Sequence, residues 1–470
     1  MQEEWEDNEN DDMSYEPIIE KYEDMLNKGV SHYFDADEFE VIIDYYFEIN
    51  QLDKIEHVLN MAMNQYPYSV PFLLRKAIYF ASSDREQKAL DILTNIETIE
   101  PNNTDILMTK GAIYSQLQRY EKAIEEYKKA LTEYDELDEI YLNIAFEYQN
   151  LGQLDKAIYY LKKALKSNPE SEMALFELSM AYDIDDKCEL GVEYFNNFVH
   201  EYPFSHVGWF CLGMSYSGIE LHEKAIMAFD YCIAINEDYL SAYLNKCNSY
   251  MELEQYELAL NTYFEVLSLD TENSYIHYCI GECFLEMKKY DESERFFLKC
   301  IELSELFSDA WIGLSSIYEE TEQYQKSHVC LLKAISLDPE NSDYSHYLAK
   351  SYQRLGQLQE AEKQYLHAIS LLDLNIDAWL DLSDLYFEKG EFDNAIKILD
   401  KALEVKEIEK NDILCRIAAY YYLNGNYQNG EMILNLIDDK NDNILEKMYE
   451  YNDSIKDNSA LLLYFNDKKL

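Results

Sequence analysis

The chain has 470 residues, with 92 Asp and Glu against 39 Lys and Arg, for a formal net charge of −53. It is 48% hydrophobic and 14% aromatic, with 43 tyrosines but only 13 glycines and 7 prolines. So many large apolar rings exclude a disordered chain, the few Gly and Pro leave little to break helices, and the acidity tells against nucleic acid or an anionic membrane as ligand.

At the amino terminus, Met1-Gln2-Glu3-Glu4-Trp5-Glu6-Asp7 is acidic and lacks an apolar core. Residues 1–15 are therefore expected to form an acidic disordered tail rather than a secretory signal. An amphipathic helix begun at Pro17 is expected within 16–35, as an N-terminal cap. From 36 to 444 the sequence repeats. Tyr46, Phe80, Tyr114, Tyr148, Tyr182, Tyr216, Tyr250, Phe284, Tyr318, Tyr352 and Tyr386 follow one another at a constant period of 34, and Tyr421 follows after 35. Three positions before these aromatics, and nine after them, stand mostly Ala, Gly, Ser or Cys, as in Gly111, Ala145, Gly213 and Gly281, or Ala123, Ala157, Gly191 and Ser293. Large apolar groups such as Leu161, Phe195, Phe229, Tyr263 and Phe297 come four positions after the second small one, on the same helical face. Gly152, Gly356, Gly390 and Gly425 share one place, where a first helix stops. Pro67, Pro101, Pro169, Pro203 and Pro339 end second helices. Each unit reads as helix, tight turn, helix, short turn, and must stack on its neighbours to bury its apolar faces. Residues 445–470 are expected to supply a C-terminal capping helix.

This pattern resembles the tetratricopeptide repeat (TPR). Asp138 to Ser171 carries it well through Tyr141, Ile144, Ala145, Tyr148, Gly152, Leu154, Ala157, Leu161, Ala164 and Pro169, and Trp209, Trp311 and Trp379 keep the family's tryptophan position. Two departures stand out: Asp185-Asp186 replaces a turn glycine, and Ile43 and Ile55 are bulky in the first unit. The resemblance implies an all-α fold, a right-handed superhelical solenoid of about twelve hairpins with terminal capping helices. It also implies a concave side lined by first helices, and a non-catalytic scaffold or adaptor that binds a protein or peptide.

On that face, the positions two and six before the aromatic offer Leu74, Ile78, Met108, Leu142, Phe146, Phe176, Met180, Phe210, Met214 and Leu244, an apolar strip where a solvated groove would be polar. Toward both ends it turns acidic, through Asp37, Glu40, Asp44 and Glu48 in the first unit and through Glu282, Glu286, Asp309, Glu319, Glu320, Asp377, Asp384 and Glu388 in later ones, where only Lys350 and Arg354 interrupt the run. Lys122, Lys128, Lys129, Lys156, Lys162 and Lys163 fall on second helices and should face outward. The apolar and acidic positions are the candidate partner-binding set, for a segment carrying Lys or Arg together with bulky apolar groups. Packing against adjacent hairpins, a terminal helix, a second copy, or simple solvation of the acidic face remain open alternatives. Clamping of a terminal carboxylate, as in the family's chaperone-tail adaptors, is disfavoured because the required lysines and arginine are missing beside Asn143 and Asn245.

No Gly-rich phosphate loop, HExxH pair or GxSxG turn occurs. His277 and Cys279 fall on opposite sides of a helix, about 200° apart, so with Cys283 they do not converge on a metal. No catalytic residue, cofactor or metal is expected. Nine cysteines without an export signal suggest a reduced, cytoplasmic protein. No apolar run approaches the length of a membrane span, so a membrane is not expected as partner. A monomer is expected. The alternatives are a self-assembling structural protein and a regulatory array that presents substrates to a separate enzyme.

Overall fold

The computed structural model describes residues 16–29, 32–131, 137–269, 271–405, 410–437, 444, 448–449, 455–456 and 458–468. The tail expected at 1–15, and much of the expected C-terminal cap, lie outside these residues. The described residues contain 26 helices and no strand, and the chain divides into two compact units, Met1–Ala242 and Tyr243–Leu470.

The first unit begins with α1 (Glu16–Lys28) and continues in hairpins: α2 (Ala36–Glu48) with α3 (Leu52–Gln65), α4 (Val70–Ala81) with α5 (Glu86–Glu97), and α6 (Thr104–Gln116) with α7 (Tyr120–Ala130). Then come α8 (Leu137–Asn150) with α9 (Leu154–Ser167), α10 (Glu172–Ile184) with α11 (Cys188–Glu201), and α12 (His206–Gly218) with α13 (His222–Ile235). The unit boundary falls within α14 (Leu240–Glu252). The second unit carries α15 (Tyr256–Leu269), α16 (Ser274–Glu286) with α17 (Tyr290–Leu303), α18 (Ser308–Glu320) with α19 (Tyr324–Leu337), and α20 (Ser342–Arg354) with α21 (Leu358–Leu371). It ends in α22 (Ile376–Glu388) with α23 (Phe392–Ala402), α24 (Lys410–Leu423) with α25 (Tyr427–Leu434), and α26 (Ser459–Lys468).

The helix starts are written into the repeat. Asp35, Asn103, Ser171, Ser205, Asn273, Asn341 and Asn375 occupy one register, and each side chain accepts a backbone N–H at the start of a first helix. Trp209 and Trp379 donate Nε1–H to the carbonyls of Pro203 and Asp373, tying the first helix to the turn before it. At the other end of the first helix the backbone turns left-handed. The predicted glycines do so at φ 67 to 76°, and Asp186 does so at φ 50°, so the glycine-less turn keeps the same geometry.

Side-chain size sets how the helices approach. A Cβ on Gly213 would lie 2.4 Å from the Phe229 ring, and on Gly281 2.7 Å from Phe297. Phe297 is also met by Gly313 of the next hairpin, where a Cβ would lie 2.4 Å away. The small positions are thus sockets for large rings. In the first hairpin Ile43 and Ile55 are fully buried in a cluster with Tyr22 and Phe34, so bulk there is absorbed by the preceding segment. Tyr22 shares a hydrogen bond with His57, and Glu23 accepts from Tyr46 and Lys54, fixing α1 on α2 and α3. At the far end Met448, Ile455 and Leu461 are buried in a cluster with Cys415, Ala418 and Tyr422 of α24.

Within each unit the first helices of successive hairpins touch, as α4 with α6, α10 with α12, and α20 with α22, while second helices stand further apart. First-helix side chains are therefore gathered on one side, and second-helix side chains spread on the other.

Candidate protein-interaction face on the first helices

In the first unit the apolar candidates divide by depth. Leu74, Met108, Leu142 and Met214 are half-buried and pack against core clusters. Ile78, Phe146 and Met180 are half-exposed and stand outside those clusters. Phe176 is furthest out, at 43% exposure. Phe210 is not a surface residue: it is 3% exposed, with its ring 5.8 Å from Phe229 and 5.3 Å from Tyr239. Its assignment to the binding strip is corrected, because a core ring offers a partner nothing. Met173, 59% exposed and one turn before Phe176, belongs to the strip although it falls outside the offsets used to read it. Exposed carboxylates Glu139, Glu172 and Asp183 flank this patch on α8 and α10. In the second unit Leu244 is half-buried against a core cluster.

Several first-helix carboxylates are met by side chains from the neighbouring hairpin. Arg75 makes a two-pronged contact with Asp44, at 2.9 and 2.7 Å, and lies 3.1 Å from Glu40. In the second unit Glu319 accepts from Arg354 and from Ser327. Asp384 accepts from Arg416 and Tyr420, and Glu388 from Gln353. Asp381 takes His346 at 2.8 Å and Lys350 at 3.3 Å. Burial pushes the Asp381 carboxyl up, but the hydrogen bond from His346 and the nearby Lys350 more than offset it and hold it below the usual range. Arg416 and His346 went unread in the sequence because each sits on a different first helix from its acid. Two openings lie along this row. One of about 300 Å³ is lined by Ile312, Ser316, Glu319, Tyr347 and Arg354 among others, and one of about 390 Å³ by Lys350, Tyr365, Asp381, Asp384 and Glu388 among others.

Glu282 and Glu286 lack such cations in the described contacts. Burial first, then Glu286 and Asp309, raise the Glu282 carboxyl to about 7. Glu320 is exposed and receives a long 3.5 Å contact from Tyr290. The second-helix lysines reach outward over tyrosine rings: Lys128 lies 5.3 Å from Tyr148, and Lys162 lies 5.1 Å from Tyr194.

All nine cysteines are buried, and burial pushes the Cys232 thiol up to about 12 and Cys279 up to about 11. His277 shares a hydrogen bond with the Asn273 carbonyl, and Cys283 points at Met251. Among the described residues, no three His, Cys, Asp or Glu side chains gather as a metal would require. Nor is any described helix long and apolar enough to cross a membrane.

Hairpins that recur at one fixed period, with first helices side by side, define an all-α repeat scaffold. Two profiles described as tetratricopeptide repeat match the sequence, one at residues 104–135, 138–171, 275–305, 308–341 and 376–408, the other at 330–363. The chain is a tetratricopeptide-repeat protein, and such repeats form protein-interaction scaffolds that are typically non-catalytic. No curated protein matches it. Among solved structures, a crystal structure of MamA is similar at 23% identity, over 34% of this chain and 92% of that one, with a TM-score of 0.31.

Proposed function

We propose that the protein is an adaptor that holds a basic, apolar-containing protein segment against the first helices of its first unit. The observation behind this reading is the outward patch of Phe146, Met173, Phe176 and Met180 on adjacent helices α8 and α10, bordered by exposed carboxylates. Methionine and phenylalanine adapt to irregular apolar side chains. Glu139, Glu172 and Asp183 would meet Lys or Arg on either side, and the net charge of −53 would speed encounter at low salt.

The test is affinity capture from source-cell lysate with wild type beside Phe176→Asp/Met180→Asp, at low and high salt, read by mass spectrometry. Both side chains stand outside the core clusters, so the variant should keep its helicity and melting temperature. A basic protein retained by wild type, lost by the variant and weakened by salt is the expected result. An identical catch from both proteins would sink the reading.

A further inference from the structure

The amino end of α10 borders a cavity that the proposal above does not use. It measures about 540 Å³ and lies between two successive inter-hairpin turns, 169–172 leading from α9 into α10 and 201–206 leading from α11 into α12. Its walls are apolar: Pro169 on one turn, and Tyr202, Pro203 and Phe204 on the other. Tyr202 is anchored, with its ring 4.9 Å from Phe198. Phe204 is 84% exposed, and the repeat does not demand a ring there. Other turns place Asn102, Glu136, Glu170, Asp238, Glu272 and Glu340 at this register, and the apolar exceptions Tyr68, Leu306 and Leu374 are themselves exposed.

The rim carries charge of one sign. Glu170, Glu172 and Glu201 are all exposed, and no described lysine or arginine lines the cavity. Tyr202 donates to Glu201 at 3.2 Å, and Ser205 Oγ already accepts the Gly208 N–H. His206 holds its Nε2 3.6 Å from Glu172 Oε1, beyond hydrogen-bonding distance, with its ring edge-on to Tyr239 at 5.1 Å. The basic groups closest along the chain are Lys166 and His200, in the last turns of α9 and α11. The following turn adds Glu237 and Asp238, so the neighbourhood stays acidic when all of these are counted. Helix ends do not reverse the sign, because the carboxyl ends of α9 and α11 meet the amino ends of α10 and α12 here, and their partial charges oppose.

Walls and rim together select one kind of side chain. A ring face attracts a cation. Carboxylates on two separate turns suit a donor that forks. Lysine ends in a compact, strongly hydrated point charge, whereas the guanidinium of arginine is planar, weakly hydrated, forked in its donors and able to stack on a ring. The place also fits a partner already lying on the first helices. Glu172 directly precedes Met173 and stands one turn before Phe176, about 6 Å away along the helix.

We infer that this cavity seats an arginine of the partner segment whose apolar residues lie on Met173 and Phe176. The inference rests on the proposal above for the segment as a whole, and adds the residue that enters here.

The probe is a library of random peptides displayed on phage and selected against the full chain. Wild type should enrich peptides with an arginine about two to four positions from a bulky apolar residue, the spacing that covers about 6 Å in a strand or a helix. Glu172→Gln/Glu201→Gln, at two exposed positions, should keep the apolar preference and lose the arginine. For a selected peptide followed by fluorescence anisotropy, exchanging its arginine for citrulline, which keeps the shape and removes the charge, should weaken binding about tenfold. Exchange for lysine should weaken it about threefold, as should Phe204→Ala in the chain. Enrichment of apolar peptides without arginine overturns this inference and leaves the first-helix patch standing, whereas a library that enriches nothing overturns both. Arginine still selected by Glu172→Gln/Glu201→Gln, or equal affinity for the arginine and lysine peptides, overturns the assignment to this cavity. So does a wild-type mass by light scattering that doubles with concentration and returns to one chain in Phe204→Ala, since the occupant would then be a second copy.

Discussion

Phe176 and Phe210 hold the same register in adjacent hairpins and read alike in the sequence, yet one is exposed and the other is core. The difference lies one repeat further on. Tyr239 covers Phe210, and the residue that would cover Phe176 is Ser205, too small to do so. A single-hairpin reading cannot see a lid contributed by the next hairpin, and that is why exposure at this register was not legible residue by residue. Glu282 shows the same dependence on neighbours. Burial, Glu286 one turn on and Asp309 on the next first helix raise its carboxyl from 4.5 to about 7. A carboxyl raised by folding binds its proton more tightly in the native state. Its contribution to stability is therefore complete below about 4.5, declines as pH rises toward 7, and is absent above. With solvent screening the effect is on the order of 1–2 kcal/mol. Melting curves of wild type and Glu282→Gln should lie close together at pH 5, with wild type falling progressively below the variant by pH 8. Parallel pH profiles for the two proteins would show that Glu282 titrates normally.

At the scale of the helix, the period of 34 made the hairpins legible, because no insertion blurs it before Lys410. Turn geometry was legible only where glycine announces it. Eight further turns place Asn50, Asp84, Gln118, Asp186, Glu220, Glu254, Lys288 and Glu322 in the left-handed region at φ 50 to 59°. They are held there by the same closure as the glycine turns: Lys187 N–H bonds to the Tyr182 carbonyl at 2.8 Å, as Gln153 N–H does to Tyr148 at 2.8 Å. Hydrogen bonding therefore dictates the conformation and side-chain chemistry merely tolerates it. A Cβ in this region costs roughly 1 kcal/mol, partly offset because glycine loses more entropy on folding. Glu220→Gly, Glu254→Gly, Lys288→Gly and Glu322→Gly should each stabilise by a few tenths to about 1 kcal/mol, and together raise the melting temperature by several degrees. A fall in melting temperature on combining them would mean that unfolded-state entropy dominates.

Across the whole molecule the sequence made the excess charge plain and concealed its partial neutralisation. Arg75, Arg354 and Arg416 each answer a carboxylate on the preceding hairpin's first helix, a contact that exists only once hairpins stack. Two effects then oppose each other as salt is added. Exposed ion pairs are worth about 0–1 kcal/mol each and weaken. Repulsion among the unmatched carboxylates also weakens, because the Debye length shrinks from about 30 Å at 0.01 M to about 10 Å at 0.1 M. With 92 acidic against 39 basic side chains, most carboxylates have no cation to lose, so relief of repulsion should win. The melting temperature should therefore climb between about 0.01 M and 0.5 M sodium chloride, most steeply below about 0.1 M, where screening changes fastest. A chain reversed at Arg75→Glu and Arg416→Glu, with two ladder contacts turned repulsive, should start lower and climb more steeply. Were wild type to melt lower as salt rises, the inter-hairpin arginines would outweigh the whole remaining surface, and the acidic excess would contribute little to the energetics of the fold.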